Sequence, residues 1–416
     1  MPKIIPMIYQ RHRLENGIRI IHKEVKNQVA HCGVIINTGS RDELEREQGI
    51  AHFIEHTIFK GTKKRKAYHI LSRLENVGGE LNAYTTKEET CIYASFLHPY
   101  YERSMELFAD ISQNSVFPQA EIEKEKEIII DEINSYRDNP AEEIFDEIED
   151  MIFEGHPLGR NILGTKELVR SFTRKNIFRF MKRTFNTDEI VICSVGNIEF
   201  AKLLRLAEKY FGQIKPNPRS FQRLKFNSYQ PKTQSFEKGM YQAHCIIANQ
   251  AYSRTDKKRT GLVLLNNVLG GPGLNTRLNM GIREKYGFCY NIESNYTMYS
   301  DTGILSIYLG TDFSYLEKTI KLVLRELKKL REQKLGSLQL HRAKQQLIGQ
   351  IAISQESNVN ELLSIGKSIL AYDKVDSIES IIDEINAIEA DELLEIANEI
   401  FDPKQLSTLI YRGQQT

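Results

Sequence analysis

An apparent internal repeat is the sequence feature that most restricts the folds available to this chain. The segment GIAHFIEHTIFKG (49–61) is matched about 210 residues later by RTGLVLLNNVLGG (259–271). A strand-then-helix pattern follows in each half, as CIYASFLHPYYERSMELFADI (91–111) and as GILSIYLGTDFSYLEKTIKLVLREL (303–327). Repeated element order predicts two structural units of the same kind. Two unrelated α/β domains with a similar order of elements are the alternative.

Local signals predict both strands and helices. GIRIIHKEV and VAHCGVIINTGS are rich in β-branched residues and end at turn residues, which is typical of strands. We expect helices over 47–59, 69–77 and 118–138, since glycine or an Asn-Pro pair follows each of them. A helix near 338–353 echoes the one at 118–138.

A proline-containing segment separates the two halves. IKPNPRSFQRLKFNSYQPKTQSF (214–236) has three prolines and little periodicity, which is typical of a linker. We therefore expect an N-terminal metal-binding catalytic domain over 1–215, a linker over 216–236 and a homologous domain over 237–416. The second half has Leu or Asn at the positions of the polar residues of HFIEH, so we expect it to lack metal ligands.

Composition excludes several classes of function. Hydrophobic residues make up 41% of the 416 residues, and the net charge of +1 argues against a nucleic-acid-binding surface. No apolar run approaches the ~20 residues that span a bilayer, so we expect no membrane partner. The five cysteines are scattered, and charged residues stand where a signal peptide is apolar, so we expect a cytoplasmic protein.

The HFIEH segment is a candidate metal site. His52 and His56 are four residues apart and share one face of a helix, so both imidazoles can bind one ion. Zn²⁺ suits neutral imidazoles, and a catalytic zinc has three protein ligands. Glu55 is placed to act as general base on zinc-bound water. The alternative is a polar helix face on which two histidines happen to lie.

A third ligand can come from the helix at 118–138. Glu125 and Glu132 are seven residues apart, which places them on the same helix face. Acidic residues on a helix are more often a solvated face, which is the alternative here. The apolar run Ile128–Ile130 nevertheless gives this helix a packed side.

The chain resembles the pitrilysin-like inverzincin zinc peptidases, in particular the branch of the mitochondrial processing peptidase and the small bacterial processing proteases. HxxEH is followed by a glutamate 76 residues after the second histidine, at Glu132. Further matching segments cover nearly the whole chain: LENGIRII, NTGSRDE, GGELNAYTTKEET, HPLGRNILGT and LGGPGLNTRLNMGIREKYGFCYNI. The resemblance implies an α+β fold of two homologous α/β-sandwich halves, each a mostly antiparallel sheet with helices packed on one side.

The resemblance also implies roles for single residues. His52, His56 and Glu132 would be the ligands of one Zn²⁺ per chain. Glu55 would be the general base. Glu125 would be a supporting carboxylate that orients a histidine.

Further roles concern the substrate. Asn82, Ala83 and Tyr84 match an edge strand on which the family binds its substrate in extended form. A plain strand start is the alternative. Arg283 and Tyr290 match an Arg/Tyr pair that contacts the substrate and the oxyanion. Some relatives divide these parts between two subunits, whereas this chain has both, so we expect a homodimer.

Together these features predict a zinc metalloendopeptidase that hydrolyses unstructured peptides held in a chamber between domains. A non-catalytic scaffold or partner subunit of a peptidase complex is the main alternative. A metal-binding module without hydrolytic activity is a further alternative, which nothing in the sequence requires.

Overall fold

The computed structural model describes residues 9–413 and divides into two compact units. Unit 1 contains the described residues up to Asn134 together with Arg160–Arg223 and Ile353–Ser377. Unit 2 contains Ser135–Gly159, Leu224–Ala352 and the described residues from Ile378 onward. Residues 1–8, part of the region used for the signal-peptide prediction, lie outside the described residues.

The first half of the chain has a mixed order of strands and helices. In chain order they are β1 (Gln10–Arg13), β2 (Arg19–Glu24), β3 (Val29–Ile36), α1 (Ile50–Thr57), α2 (Ala67–Glu75), β4 (Glu80–Thr85), β5 (Thr90–Leu97), α3 (Tyr101–Asn114), α4 (Gln119–Arg137), α5 (Pro140–Ile152), α6 (Lys166–Ser171), α7 (Arg174–Thr184), β6 (Ile190–Gly196) and α8 (Phe200–Phe211).

The second half repeats this order with fewer strands. Its elements are β7 (Thr233–Lys238), β8 (Ala243–Ala251), α9 (Arg259–Gly270), a short π-helix (Asn279–Glu284), β9 (Cys289–Met298), β10 (Gly303–Thr311), α10 (Leu316–Glu332), α11 (Ser337–Gln355), α12 (Asn358–Tyr372), α13 (Ile378–Ala387), α14 (Ala390–Ile400) and β11 (Ser407–Gly413).

The predicted helices are present, with one shorter than expected. The predictions at 69–77, 118–138 and 338–353 correspond to α2, α4 and α11. The helix predicted from residue 47 begins only at Ile50, because Gly49 precedes it with a left-handed φ of +92°. Within residues 9–413, no helix is both long and apolar enough to cross a bilayer.

The two sheets have the same topology. The sheet of unit 1 has the order β1-β2-β6-β3-β5-β4, and the sheet of unit 2 has the order β7-β11-β8-β10-β9. In the first sheet only β2 and β6 pair in parallel, and in the second only β7 and β11 do. From β2 onward each strand of the first sheet thus has a counterpart with the same neighbours and directions. The predicted α+β fold of two homologous halves with mostly antiparallel sheets is confirmed.

Each sheet is buried on both faces. Successive strand residues point to opposite faces. In β6, Ile192 therefore packs into the core formed with α1–α4 and α6–α8, while Val191 packs against α12. In β8, Ile247 packs towards α9–α11, α13 and α14, while Ile246 packs against α5. The predicted helices on one side form the larger layer, and the structure adds one helix on the opposite face of each sheet.

These two single helices explain why the compact units differ from the predicted domains. α5 follows the first four helices in the chain but packs on the sheet of unit 2, and α12 follows β10 but packs on the sheet of unit 1. A division at the predicted linker assigns α5 to the first half and α12 to the second, whereas each packs with the other half's sheet. Parts of the predicted linker also belong to folded structure. Arg223 pairs with the buried Asp42 at 2.7 Å, and β7 begins at Thr233.

Candidate metal centre

The start of α1 is fixed by the buried side chain of Glu43. Glu43 accepts hydrogen bonds from the backbone N–H groups of Gly49 at 2.9 Å and of Ala51 at 2.8 Å. These groups have no acceptor within the helix itself. The left-handed φ at Gly49, which glycine adopts without steric cost, sets the direction in which the helix leaves this point.

One face of α1 packs into the core and another carries the HFIEH polar residues. Ile50, Phe53 and Ile54 are fully buried in unit 1. The rings of His52 and His56 lie next to each other on a different face, with centroids 4.6 Å apart. The apolar face therefore holds the two imidazoles in a fixed relation.

Helix α4 brings two of the predicted carboxylates to these histidines. Ile129 and Ile133 are buried in the core, whereas Ile128 is 41% exposed, so only part of the apolar run forms the packed side. Glu125 is buried and Glu132 is half-buried. Their spacing of two helical turns puts both on the side that faces α1, as the sequence predicts.

Three side chains form a group that can bind a metal ion. His52, His56 and Glu132 each offer one ligand atom, and these atoms lie within 4.8 Å of one another. The Glu132 Oε2 atom is 3.8 Å from His52 Nε2 and 3.6 Å from His56 Nε2. Two imidazoles and one carboxylate are the donor set of a catalytic zinc site that leaves a position open.

The protonation state and hydrogen bonding of His52 are suitable for metal binding. Burial lowers the pKa of His52 to about 3, and the neighbouring His56 lowers it as well, so the ring is neutral at pH 7. Its Nδ1 atom is buried and has no hydrogen-bond partner within residues 9–413. Its Nε2 atom is too far from Glu132 for a hydrogen bond. A neutral ring with a free lone pair is what a metal ion requires.

Glu125 supports the second histidine. Its Oε2 atom accepts a hydrogen bond of 3.2 Å from His56 Nδ1, which leaves the lone pair of Nε2 directed towards Glu132. The ammonium group of Lys60 lies 2.8 Å from the other oxygen of Glu125. This cation offsets the cost of keeping a charged carboxylate that is only 2% exposed.

Glu55 lies beside the cluster without a partner of its own. It is half-buried, and its side chain makes no hydrogen bond or ion pair with any described residue. Burial raises the pKa of Glu132, His56 opposes this effect, and the charge of Glu55 adds to it. Glu55 is therefore close enough to act electrostatically on Glu132, a candidate metal ligand.

The predicted substrate residues lie on an edge strand next to α1. Asn82, Ala83 and Tyr84 belong to β4, which pairs with β5 and has no strand on its other side within residues 9–413. Asn82 is exposed and Ala83 packs on the core. The backbone of β4 thus has one unpaired edge near the helix of His52 and His56.

Arg283 and Tyr290 lie in unit 2. Arg283 is on the π-helix, where its guanidinium is 3.3 Å from Glu284. Tyr290 follows the first residue of β9, the edge strand of the second sheet, and is 69% exposed. Their action on a substrate remains a prediction.

Sequence reasoning missed two residues that support the site. Glu43 lies in the segment NTGSRDE, six residues before Gly49, and an acidic residue shortly before a helix is a usable capping signal. Lys60 follows His56 by four residues, but its pairing with Glu125 joins two distant parts of the chain. No local pattern indicates that pair.

Two family models match the chain. The model described as insulinase (peptidase family M16) matches residues 19–166, and the model described as the peptidase M16 inactive domain matches residues 171–347. The second match agrees with α9, where Leu262, Leu265 and Asn266 stand at the positions of His52, Glu55 and His56.

Curated relatives cover most of the chain. An uncharacterised zinc protease of Bacillus subtilis (strain 168) is 31% identical over 403 residues, which is 96% of this chain and 98% of that protein. An uncharacterised zinc protease of Rickettsia felis is 32% identical, with 96% of each chain covered. The mitochondrial-processing peptidase subunit beta of Bos taurus is 30% identical, with 90% of this chain and 79% of that protein covered.

Solved structures share the fold at lower identity. A protease from Helicobacter pylori superposes with a TM-score of 0.89 at 20% identity, covering 98% of this chain and all of that one. A structure described as the peptidase M16 inactive domain from Pseudomonas fluorescens superposes with a TM-score of 0.91 at 19% identity, covering 98% of each chain.

Proposed function

Because the chain belongs to the insulinase family of peptidases, family M16, it is a zinc protease, and we propose that it is an endopeptidase that cuts unstructured peptides bound in extended form. The observation that carries the proposal is the group of His52, His56 and Glu132 with Glu55 beside it. The cytoplasmic location remains a prediction from the cysteine pattern.

In this proposal His52, His56 and Glu132 hold one Zn²⁺. A bound ion would supply Lewis-acid chemistry, which polarises a scissile carbonyl and lowers the pKa of water towards ~7. Glu125 keeps His56 in the tautomer that binds through Nε2.

Glu55 does the proton transfer in this proposal. It takes a proton from the attacking water and passes it to the leaving amine. Two observations support this role for Glu55. Its side chain has no hydrogen-bond or ion-pair partner in the described part of the chain, and its charge acts on Glu132. A carboxylate already held in an ion pair would be a weaker base.

The unpaired edge of β4 is the proposed binding site for the peptide. An extended peptide can add to this edge through main-chain hydrogen bonds at Asn82, Ala83 and Tyr84. Main-chain bonding accepts many sequences, which agrees with a preference for unfolded chains. A folded protein would have to release a strand before it could bind in this way.

Arg283 and Tyr290 are the proposed contacts from the second half. A guanidinium can hold a substrate carbonyl or carboxylate, and a tyrosine hydroxyl can donate to the oxyanion. Tyr290 and the Arg283–Glu284 pair are exposed, so both side chains are accessible to a substrate.

We propose a homodimer as well, because one chain contains both the metal ligands and the pair of Arg283 and Tyr290.

The first test compares cleavage of an unfolded-peptide mixture by the zinc-loaded protein and its Glu55→Gln variant. We expect the variant to lose about 100-fold or more of the activity, because general-base catalysis contributes at least that factor, and to keep its zinc. Glu75→Gln, an exposed change at the end of α2, is the matched control and should cleave normally.

The other outcomes decide against this proposal. Cleavage that persists in Glu55→Gln would exclude Glu55 as the base. A wild-type protein that binds zinc without cutting any peptide would favour the non-catalytic scaffold or partner subunit.

A further inference from the structure

A polar contact joins α12 to the hairpin of β4 and β5. The Lys367 ammonium lies 2.6 Å from Glu89 Oε1, and the Tyr84 hydroxyl donates a hydrogen bond of 3.0 Å to the same oxygen. The ammonium is also 5.1 Å from the centroid of the Tyr84 ring, within the range of a cation–π contact. One carboxylate oxygen thus connects a helix from the second half of the chain to the proposed peptide-binding strand.

The hairpin turn holds Glu89 in place. The backbone N–H of Thr86 donates to the Glu89 carbonyl at 2.8 Å, and the backbone N–H of Glu89 donates to Thr86 Oγ1 at 3.1 Å. The Glu89 side chain is only 14% exposed. Its carboxylate therefore has a defined position from which to bind both partners.

Helix α12 is itself a fixed support. Gly366, next to Lys367, lies so close to the sheet that an added Cβ would meet Ile35 Cδ1 at 2.4 Å. Glu361 accepts a hydrogen bond of 2.5 Å from the Tyr9 hydroxyl and pairs with Lys23 at 3.2 Å. Lys367 therefore extends from a helix that is held against the sheet at several points.

Strand β4 depends on such support because it lies at an edge of its sheet. It is bonded to β5 on one side only, so half of its backbone groups have no ladder partner in the described structure. A peptide that adds to the free edge requires those groups in strand geometry, and every loss of order in β4 lowers peptide affinity. The Tyr84 ring is the side chain of β4 that reaches α12, and it also packs edge-on against Tyr93.

We propose that Lys367 and Glu89 are positioning residues that hold β4, through Tyr84, in the geometry that an extended peptide needs. The inference rests on the proposed function and names a part of the chain that neither contacts the metal cluster nor carries out the chemistry. It assigns α12 a role in substrate affinity.

The test is the kinetics of Lys367→Ala on a long unfolded peptide. We expect KM to rise about threefold, the scale of a partly exposed ion pair, with kcat and zinc content unchanged. Lys367→Arg keeps the charge within reach of Glu89 and should restore KM. Lys374→Ala is the matched control and should behave as the wild type does. Lys374 lies just beyond α12 and pairs with Asp376.

A binding measurement separates this inference from the proposed function. In the Glu55→Gln background, a fluorescently labelled unfolded peptide should bind about threefold more weakly when Lys367→Ala is added. If the wild type cleaves normally and Lys367→Ala changes neither KM nor binding, the positioning role is excluded while the proposed function stands. If the wild type fails to cleave but the binding difference is present, the proposed function fails and the positioning role stands.

Two further results would also overturn the positioning role. One is a fall in kcat at constant KM, and the other is a lack of peptide binding by every variant. Should Lys367→Ala fold poorly, Glu89→Gln replaces it, because the amide still accepts from the Tyr84 hydroxyl while the ion pair is lost. It should raise KM to a similar extent.

Discussion

At the scale of single residues, the surroundings of three glutamates separate their roles. Glu125 is buried between a lysine and a histidine, Glu132 is half-buried with a raised pKa, and Glu55 has no hydrogen-bond or ion-pair partner in residues 9–413. A paired carboxylate orients its neighbours, whereas an unpaired one can accept a proton. All three residues are glutamates, so the difference between their roles comes from their surroundings.

Replacing Glu125 by Gln tests its orienting role. The variant loses the ion pair with Lys60 and holds His56 less firmly, so we expect zinc affinity to fall about tenfold, the lower end for such supporting residues. Competition with a chelator measures the affinity. Glu127→Gln changes an exposed residue of the same helix and should bind zinc as the wild type does. Equal zinc affinities for the wild type and both variants would exclude an orienting role for Glu125.

At the scale of elements, a short helix carries three of the proposed site residues, His52, Glu55 and His56. α1 has only eight residues, too few to be stable by itself in water. Its position depends on the core contacts of Phe53 and Ile54 and on the cap formed by Glu43. We therefore expect loss of the cap to affect His52 and His56, the candidate ligands, through the position of the helix.

Glu43→Ala tests this dependence. The change leaves two buried N–H groups without an acceptor, so we expect a loss of about 1–3 kcal/mol in the free energy of unfolding and weaker zinc binding. Thermal unfolding and chelator competition measure the two effects. Glu45→Ala alters an exposed residue of the same loop and serves as control. A variant with full stability would show that the cap is dispensable.

At the scale of the whole molecule, the two halves exchange one helix each. The sheet of unit 1 needs α12 to cover Ile35 and Val191, and the sheet of unit 2 needs α5 to cover Ile246. Neither half of the sequence therefore contains a complete unit. This arrangement explains why a division of the chain at the linker differs from the compact units.

Expression of residues 1–215 alone tests the exchange. This fragment lacks α12, and its exposed apolar sheet face should cause aggregation. Co-expression with 216–416 should restore a soluble complex with native near-ultraviolet circular dichroism. Rescue should fail when the second fragment carries Gly366→Leu, because a side chain there collides with Ile35. A well-folded 1–215 fragment by itself would contradict the requirement for α12.

Features that depend on spacing along one element could be predicted from the sequence. The shared face of His52 and His56, the two-turn distance from Glu125 to Glu132 and the repeat of element order all follow from local periodicity. Features that depend on contacts between distant parts of the chain became visible only in the folded structure. Strand order made β4 an edge, and packing placed α12 against the first sheet and Lys367 beside Glu89. Such contacts join residues that are far apart in the chain, so no local pattern encodes them.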